Sequence, residues 1–367
     1  MLPSVAAFTD TYLPTVNGVT YTISSWRERY TDRGGRMDVV YPNSSYDPDP
    51  GEFPVRSVPF PFYEGYRLGM PQIPDGVTDV DLVHAHSPFS VGFAGYRLAR
   101  RAEVPFVASY HTPTAEYASY VAPGPLSGPV ATLSDRYERW FLRRADLVLA
   151  PSETTAAALR GRLGETVRVR AHPNGVDTTR FRPRDAKAFK RRHGLPTDRV
   201  LIGYTGRHGH EKNLEAILEA AGPLDVTVVF GGDGPATPDL KAVAERTGVD
   251  TRFLGFLDRE ELPAFYSALD VFAFPSPVET QGIVALEASA CGTPVVAVDA
   301  GALAETVVEG KNGLHYQPGD RVGFREALER AIANREELAE QARAYRSEIS
   351  LEASIDELLE RYQSVLS

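Results

Sequence analysis

Two glutamates eight residues apart, Glu279 and Glu287, bracket a glycine in the stretch Pro277-Val-Glu-Thr-Gln-Gly-Ile-Val-Ala-Leu-Glu287. A glycine turn that opens a helix leaves the first amides of that helix without internal partners, and the helix dipole favours an anion there. The amides near Gly282, Ile283 and Val284 can therefore hold a diphosphate. Glu279 then lies just before the helix and Glu287 about two turns inside it, so that the first can meet sugar hydroxyls and the second a ribose. A second cluster, Tyr204-Thr-Gly-Arg-His-Gly-His-Glu-Lys212, sets Arg207 and Lys212 in a loop between a strand and a helix. Two cations aimed at one anionic group can stabilise negative charge that builds on it without a general acid. His208 and His210 of the same loop read as plain loop residues.

Other positions carry weaker signals by themselves. Phe230-Gly-Gly-Asp-Gly-Pro235 contributes Gly232 and Gly234 to a strand-end turn of a common kind, and Thr251-Arg-Phe-Leu-Gly-Phe256 contributes Phe253 to the next strand. In the first half, Asn17-Gly18 follows the first strand, where a glycine lets backbone approach a ligand closely. His111 ends another strand and can hydrogen-bond a sugar hydroxyl or share a proton near neutral pH. His84 and His86 lack a further placed ligand, so structural contacts are expected of them and no metal site is. The only cysteine, Cys291, sits among small apolar residues and reads as a buried structural thiol.

The elements that must hold these residues follow an α/β rhythm. Short runs such as Val5–Phe8, Met37–Tyr41, Val80–Val83, Pro105–Ala108 and Asp146–Ala150 alternate with helix-like stretches at 92–102 and 153–163, predicting a parallel, helix-covered sheet. The rhythm pauses at 172–198 and restarts at Arg199. Strands near 226–230, 251–254, 270–274 and 294–298 then form a second doubly wound sheet, with helical patterns at 321–345 and 351–366. We expect one domain over 1–180, a second over 181–345, and a final helical segment, 346–367, that packs back on the first. The size agrees, because 367 residues exceed one compact core. Ligands of such sheets bind at strand C-termini, here across a cleft between two domains.

Net charge is −10, which argues against a nucleic-acid binder. The acidity belongs to the second half: residues 1–180 carry −1 and residues 181–367 carry −9. No run approaches the roughly 20 apolar residues of a membrane span. No secretory leader is evident either, and a cytoplasmic location is expected.

The segment from Glu279 to Glu287 resembles the E-x7-E signature of glycosyltransferase family 4, a likeness that extends over nearly the whole chain. The resemblance implies the GT-B fold, retention of anomeric configuration and no obligatory metal. It implies a nucleotide diphosphate sugar, UDP-hexose or GDP-mannose, held mainly by the second domain. By that likeness Arg207 and Lys212 grip the diphosphate, Gly232, Gly234 and the Phe253 segment contact the nucleotide, and the Gly18 loop meets sugar and diphosphate. His111 lies beside the reacting centre. The stretch Tyr110-His-Thr-Pro-Thr-Ala-Glu-Tyr117 resembles diacylglycerol glucosyltransferases, as does Glu279-Thr-Gln-Gly282. The aromatic loop Pro59–Pro71, with Tyr63 and Tyr66, does too. Tyr117, Tyr63 and Tyr66 are therefore acceptor candidates, and a membrane lipid is the expected acceptor. Arg136, Arg139, Trp140, Phe141, Arg143 and Arg144 place basic and aromatic residues on one helix, suited to peripheral contact with an anionic membrane. A soluble-acceptor hexosyltransferase is the alternative; a nucleotide-sugar epimerase and a non-catalytic binding module rank below it.

Overall fold

The computed structural model describes residues 2–15, 17–60, 66–111 and 127–367. The chain forms two compact units, Met1–Asn174 with Ser354–Ser367, and Gly175–Ala353. Among the described residues no helix is long and apolar enough to cross a membrane.

The first unit contains β1 (Ser4–Phe8), β2 (Arg36–Pro42), β3 (Glu52–Val55), β4 (Ser57–Pro59), β5 (Arg67–Gly69), β6 (Leu82–Ala85), β7 (Phe106–Ser109), β8 (Leu147–Ala150) and β9 (Val169–Ala171). Seven strands make a parallel sheet in the order β3-β2-β1-β6-β7-β8-β9, while β4 and β5 pair separately as an antiparallel ladder. Runs such as Leu147–Ala150 are apolar at every position because helices cover both faces. The strand order reverses between β1 and β6, which places the loops after these two strands at the crevice where open sheets bind ligands.

After β1, Asp10 reaches across to the helix Ser90–Ala102. Its carboxylate accepts from Ser87 Oγ at 2.6 Å and from the amides of Val91 and Gly92 at 2.9 and 3.3 Å. The N-cap position, Phe89, offers no side-chain acceptor, so Asp10 caps this helix from a distance. The helix Leu351–Leu366 returns to the first unit: Tyr362 hydroxyl lies 2.8 Å from His84 Nδ1, and Ser354 Oγ donates to the Pro173 carbonyl at 2.7 Å.

The second unit holds β10 (Val200–Thr205), β11 (Val226–Gly231), β12 (Asp250–Gly255), β13 (Val271–Phe274), β14 (Val295–Val298) and β15 (Gly313–Tyr316), ordered β12-β11-β10-β13-β14-β15 and all parallel. Its reversal lies between β10 and β13. The apolar periodicity at 321–345 resolves into two helices, Arg321–Ala333 and Arg335–Tyr345, separated at Asn334. Each buries its own small face, through Phe324, Ala327 and Leu328 in the first and Leu338 and Ala342 in the second.

Candidate active site

In the second unit the loops after β10 and β13 meet at the reversal point. Lys212, in the short 3-10 turn His210–Lys212, donates from Nζ to Glu279 Oε1 at 2.7 Å. The glutamate loop is pinned by the turn after β14: the Ala302 amide donates to the Glu279 carbonyl at 3.4 Å, and a Cβ on Gly301 would meet the Pro277 carbonyl at 2.8 Å. Gly282 stands at φ +81°, and a Cβ there would approach Leu303 Cδ2 to 2.5 Å. Glycine is thus required on two counts, by the left-handed backbone and by the contact. The helix Ile283–Ala290 starts at this turn; the amides of its half-exposed Ile283 and Val284 precede the first helical acceptor, while that of Ala285 donates to the Gly282 carbonyl at 2.9 Å.

Arg207 is exposed and pairs with Glu211 on its own loop. Glu287 is buried, with 5% of its surface accessible. Its Oε2 accepts from the Tyr266 hydroxyl at 2.8 Å, and Arg259 stands 3.9 Å from Oε1. Burial pushes its carboxyl above the ordinary carboxylate range, while Arg259 and the Tyr266 hydroxyl oppose that shift. Cys291 is buried, and its thiol is pushed up to about 12 by that burial, leaving it protonated and inert.

Three adjacent strand-end loops are stitched by backbone contacts. The Gly206 amide donates to the Gly231 carbonyl at 3.2 Å, the Gly232 amide to the Gly255 carbonyl at 2.6 Å, and the His208 amide to the Asp233 carbonyl at 2.9 Å. A Cβ on Gly232 would lie 2.0 Å from the Gly206 carbonyl oxygen, and one on Gly234 would lie 2.5 Å from that of His208. These glycines let two loops touch, a more specific requirement than their sequence context indicates. Phe253 stacks on Phe230 with centroids 5.3 Å apart, and Lys241 Nζ lies 5.7 Å from its ring. His208 departs from the expectation of a plain loop residue: it is fully buried between the β10 and β11 loops, whereas His210 is exposed. Sequence reasoning passed over it because it lies in a polar, glycine-containing loop, Gly206-Arg-His-Gly-His210.

In the first unit Gly18 opens the helix Gly18–Asp32, which Asn17 caps by accepting from the Thr20 amide at 2.9 Å. A Cβ at Gly18 would meet nothing within 4 Å among the described residues, so none of their contacts demands glycine there. Asn17 Nδ2 donates to Thr11 Oγ1 at 2.8 Å and approaches the Tyr66 hydroxyl at 3.4 Å. Tyr66 lines a cavity of about 360 Å³ with Tyr12, Thr15, Ser44, Ser45 and Arg67. Tyr63 and Tyr117 lie outside the described residues, as do Thr112 and the rest of the motif downstream of His111.

His111 Nε2 sits 3.1 Å from His86 Nδ1, the rings stacked at 5.4 Å. The far nitrogen of His86 is buried without a partner among the described residues. A lone pair is cheaper to leave unpaired than an N–H, so the proton belongs on His86 Nδ1, which donates to His111. Burial lowers the His111 imidazole to about 4, keeping it neutral at physiological pH. His84, wholly buried between the Tyr362 hydroxyl and Ser109 Oγ, each at 2.8 Å, makes the structural contacts expected of it. Among the described residues no His, Cys, Asp and Glu group is arranged to hold a metal ion.

The helix Ser127–Leu142 only partly matches the expected basic and aromatic face. Phe141 is buried, and Arg143, just beyond the helix, turns its Nε to the Leu163 carbonyl at 3.1 Å. Leu133, Tyr137 and Trp140 remain exposed, and Arg144 lies 3.6 Å from the Trp140 ring.

Comparison with known proteins agrees with this architecture. Residues 16–180 match the family described as Glycosyltransferase Family 4, and residues 185–348 match Glycosyl transferases group 1. A GDP-mannose-dependent alpha-mannosyltransferase of Mycolicibacterium smegmatis is 32% identical over 99% of this chain and 97% of its own length. An alpha-monoglucosyldiacylglycerol synthase of Streptococcus pneumoniae is 29% identical over 80% of this chain and 70% of its own. Among solved structures, a sucrose-phosphate synthase of Thermosynechococcus elongatus superposes with a TM-score of 0.79 over 98% of both chains at 22% identity. With two Rossmann-like parallel-sheet units and relatives that match end to end, the chain belongs to glycosyltransferase family 4 and is a glycosyltransferase of the GT-B fold.

Proposed function

We propose that the protein transfers a hexose from a nucleoside diphosphate sugar to a membrane lipid, with retention of anomeric configuration and without an obligatory metal. The observation that carries the donor half is the Lys212–Glu279 contact beside the start of the helix Ile283–Ala290. In this reading the first-turn amides and Lys212 meet the diphosphate, and Arg207 turns from Glu211 to join them. Charge growing on the leaving group is then neutralised by fixed protein donors. Glu279 orients the sugar through its hydroxyls and Glu287 the ribose. His111, neutral and held by His86, supplies a hydrogen bond to a sugar hydroxyl. Gly18 leaves room for the substrate at the opening of its helix.

The lipid acceptor is supported by the exposed strip of Leu133, Tyr137 and Trp140 with Arg136 and Arg144 beside it, and by similarity to the pneumococcal diacylglycerol enzyme. A second reading, transfer to a small soluble acceptor, is favoured by the hydroxyl-lined cavity at Tyr66 and Arg67 and by similarity to the mannosyltransferase. One experiment separates them. Purified protein is given radiolabelled UDP-glucose or GDP-mannose, with lipid extract or simple saccharides, and chelator throughout. The proposal expects α-linked label that partitions into organic solvent. Label confined to water-soluble product refutes the lipid acceptor, and dependence on added metal refutes the metal-free mechanism.

A further inference from the structure

His208 has no part in the chemistry above, yet it is buried between the Arg207/Lys212 loop, assigned to the diphosphate, and the glycine loop after β11, assigned to the nucleotide. Its Nε2 lies 3.2 Å from the Gly231 carbonyl, its Nδ1 2.8 Å from Thr237 Oγ1, and the Thr237 hydroxyl lies 2.6 Å from Asp233 Oδ1. A carbonyl can only accept, so Nε2 carries a proton. Thr237 has a single proton but faces two acceptors if Nδ1 is bare. The Gly234 amide cannot relieve the conflict, because it donates to both Thr237 Oγ1, at 3.1 Å, and Asp233 Oδ1, at 2.7 Å. With neutral imidazole, one of the two short contacts sets lone pair against lone pair. With imidazolium, both are satisfied: Nδ1–H donates to Thr237, and Thr237 donates to Asp233.

We propose that His208 is a positioning residue for the nucleoside diphosphate. As imidazolium it completes a His208–Thr237–Asp233 chain that locks the Arg207/Lys212 loop onto the glycine loop, and donor binding takes up a proton at this site. The proposal rests on the donor reading above, since it needs the nucleoside diphosphate to lie against these two loops. The surroundings set the resting state. Phe230 and Tyr204 pack at 5.8 and 6.4 Å, and burial holds the imidazole below its ordinary value, opposed by the Gly231 carbonyl and Asp233. Lys241, from the helix Thr237–Thr247, acts in turn on Asp233. On the loop of His208 itself, Arg207 and Glu211 pair with each other, and the exposed His210 faces Asp239 at 3.7 Å. Burial therefore works against the cation that the two short contacts call for, and protonation of the ligand-free imidazole is incomplete. A bound diphosphate adds negative charge, which favours the cation. Affinity then rises as pH falls and is lost as pH rises through the value in the complex.

The test is calorimetric titration of the full chain with UDP-glucose and GDP-mannose, whose diphosphate does not titrate in this range, at pH 6 and pH 8 in two buffers of different ionisation heat. For whichever donor binds, we expect proton uptake and an affinity about tenfold weaker at pH 8, the effect of a change of one unit in the pKa of one group. His208→Gln and Thr237→Val, checked for folding by circular dichroism, should bind without uptake and with little dependence on pH. Thr237→Val keeps both the shape and the imidazole, so it isolates the hydroxyl relay. Uptake and pH dependence unchanged in both variants, or absent from the wild type, overturn the proposal while leaving the donor reading intact. A folded wild type that binds neither nucleotide sugar refutes the donor reading itself, and this proposal with it.

Discussion

Replacing Lys212 by alanine removes a cation that stands 2.7 Å from Glu279 Oε1, with 19% and 15% of the two side chains exposed. Water still reaches both partners, so the pair contributes only about 1 kcal/mol to folding, near the upper end for accessible ion pairs. The catalytic loss should be far larger. The full charge of the departing diphosphate exists only late in the reaction, and removing one preorganised donor to such charge costs about 2.7–4 kcal/mol, or 10²–10³ in turnover. Because the lost interaction belongs to the transition state, kcat should fall while the donor KM changes little. The companion change Glu279→Gln keeps the size of the side chain but removes its charge, and it should leave nucleotide affinity intact while transfer collapses. Steady-state assays of nucleotide release and of product, beside calorimetric nucleotide binding and a melting curve, separate these effects. Near wild-type turnover in folded Lys212→Ala, or in the double variant that also removes Arg207, would refute the clamp. Equal loss of nucleotide binding and transfer in Glu279→Gln would make that residue structural.

Gly282→Ala should cost about 1–3 kcal/mol of stability in the second unit, since it strains a left-handed backbone at φ +81° and drives a Cβ against Leu303; an unchanged denaturant midpoint would show that the turn relaxes freely. The first unit should lose stability in acid. Burial lowers His111 to about 4 and His172 to about 3, below the roughly 6.5 of an unfolded imidazole. Their neutral forms therefore support the fold fully above that value, and the support drains as pH falls from about 6.5 toward 4 and then 3. His172→Gln should flatten the fall in urea midpoint across this window, and an equally steep fall would remove His172 from the account. Trp140→Ala should weaken binding to anionic vesicles, and binding by the wild type should decline as salt rises; salt-independent binding would deny the electrostatic part.

Fold and site were legible to different depths, for reasons that particular residues make plain. Buried parallel strands such as Leu147–Ala150 and Val295–Val298 announce themselves as unbroken apolar runs, because both faces of the sheet are covered. The short edge elements β4, β5 and β9 were missed, since three residues carry no period. Glu279 and Lys212 were readable as candidate site residues because each follows a strand and precedes a helical turn. That they touch was not readable, because strand order, and not sequence distance, places the β10 and β13 loops side by side. A final segment packing back on the first domain was expected from the family resemblance; the residues at which the chain crosses, Asn174 and Ser354, rest on contacts such as Tyr362 with His84, which no local pattern encodes.

Glu287 and His208 are both more buried than a one-dimensional reading of their segments suggests. A glutamate two turns into a helix reads as a solvated or ligand-facing group; the structure instead buries it under Tyr266, because the helix Ile283–Ala290 is covered along most of its surface. Arg259 lies 3.9 Å from its second oxygen, so a ribose that engages Glu287 must do so beside a guanidinium already present. His208 presents the opposite case, a residue that local polarity assigns to solvent and that two glycine-permitted loop contacts enclose. In both, the side chain's role is set by what neighbouring strands bring against it. The chemistry proposed for this candidate site is consequently less a property of the E-x7-E segment than of the seam between the loops after β10, β11 and β13.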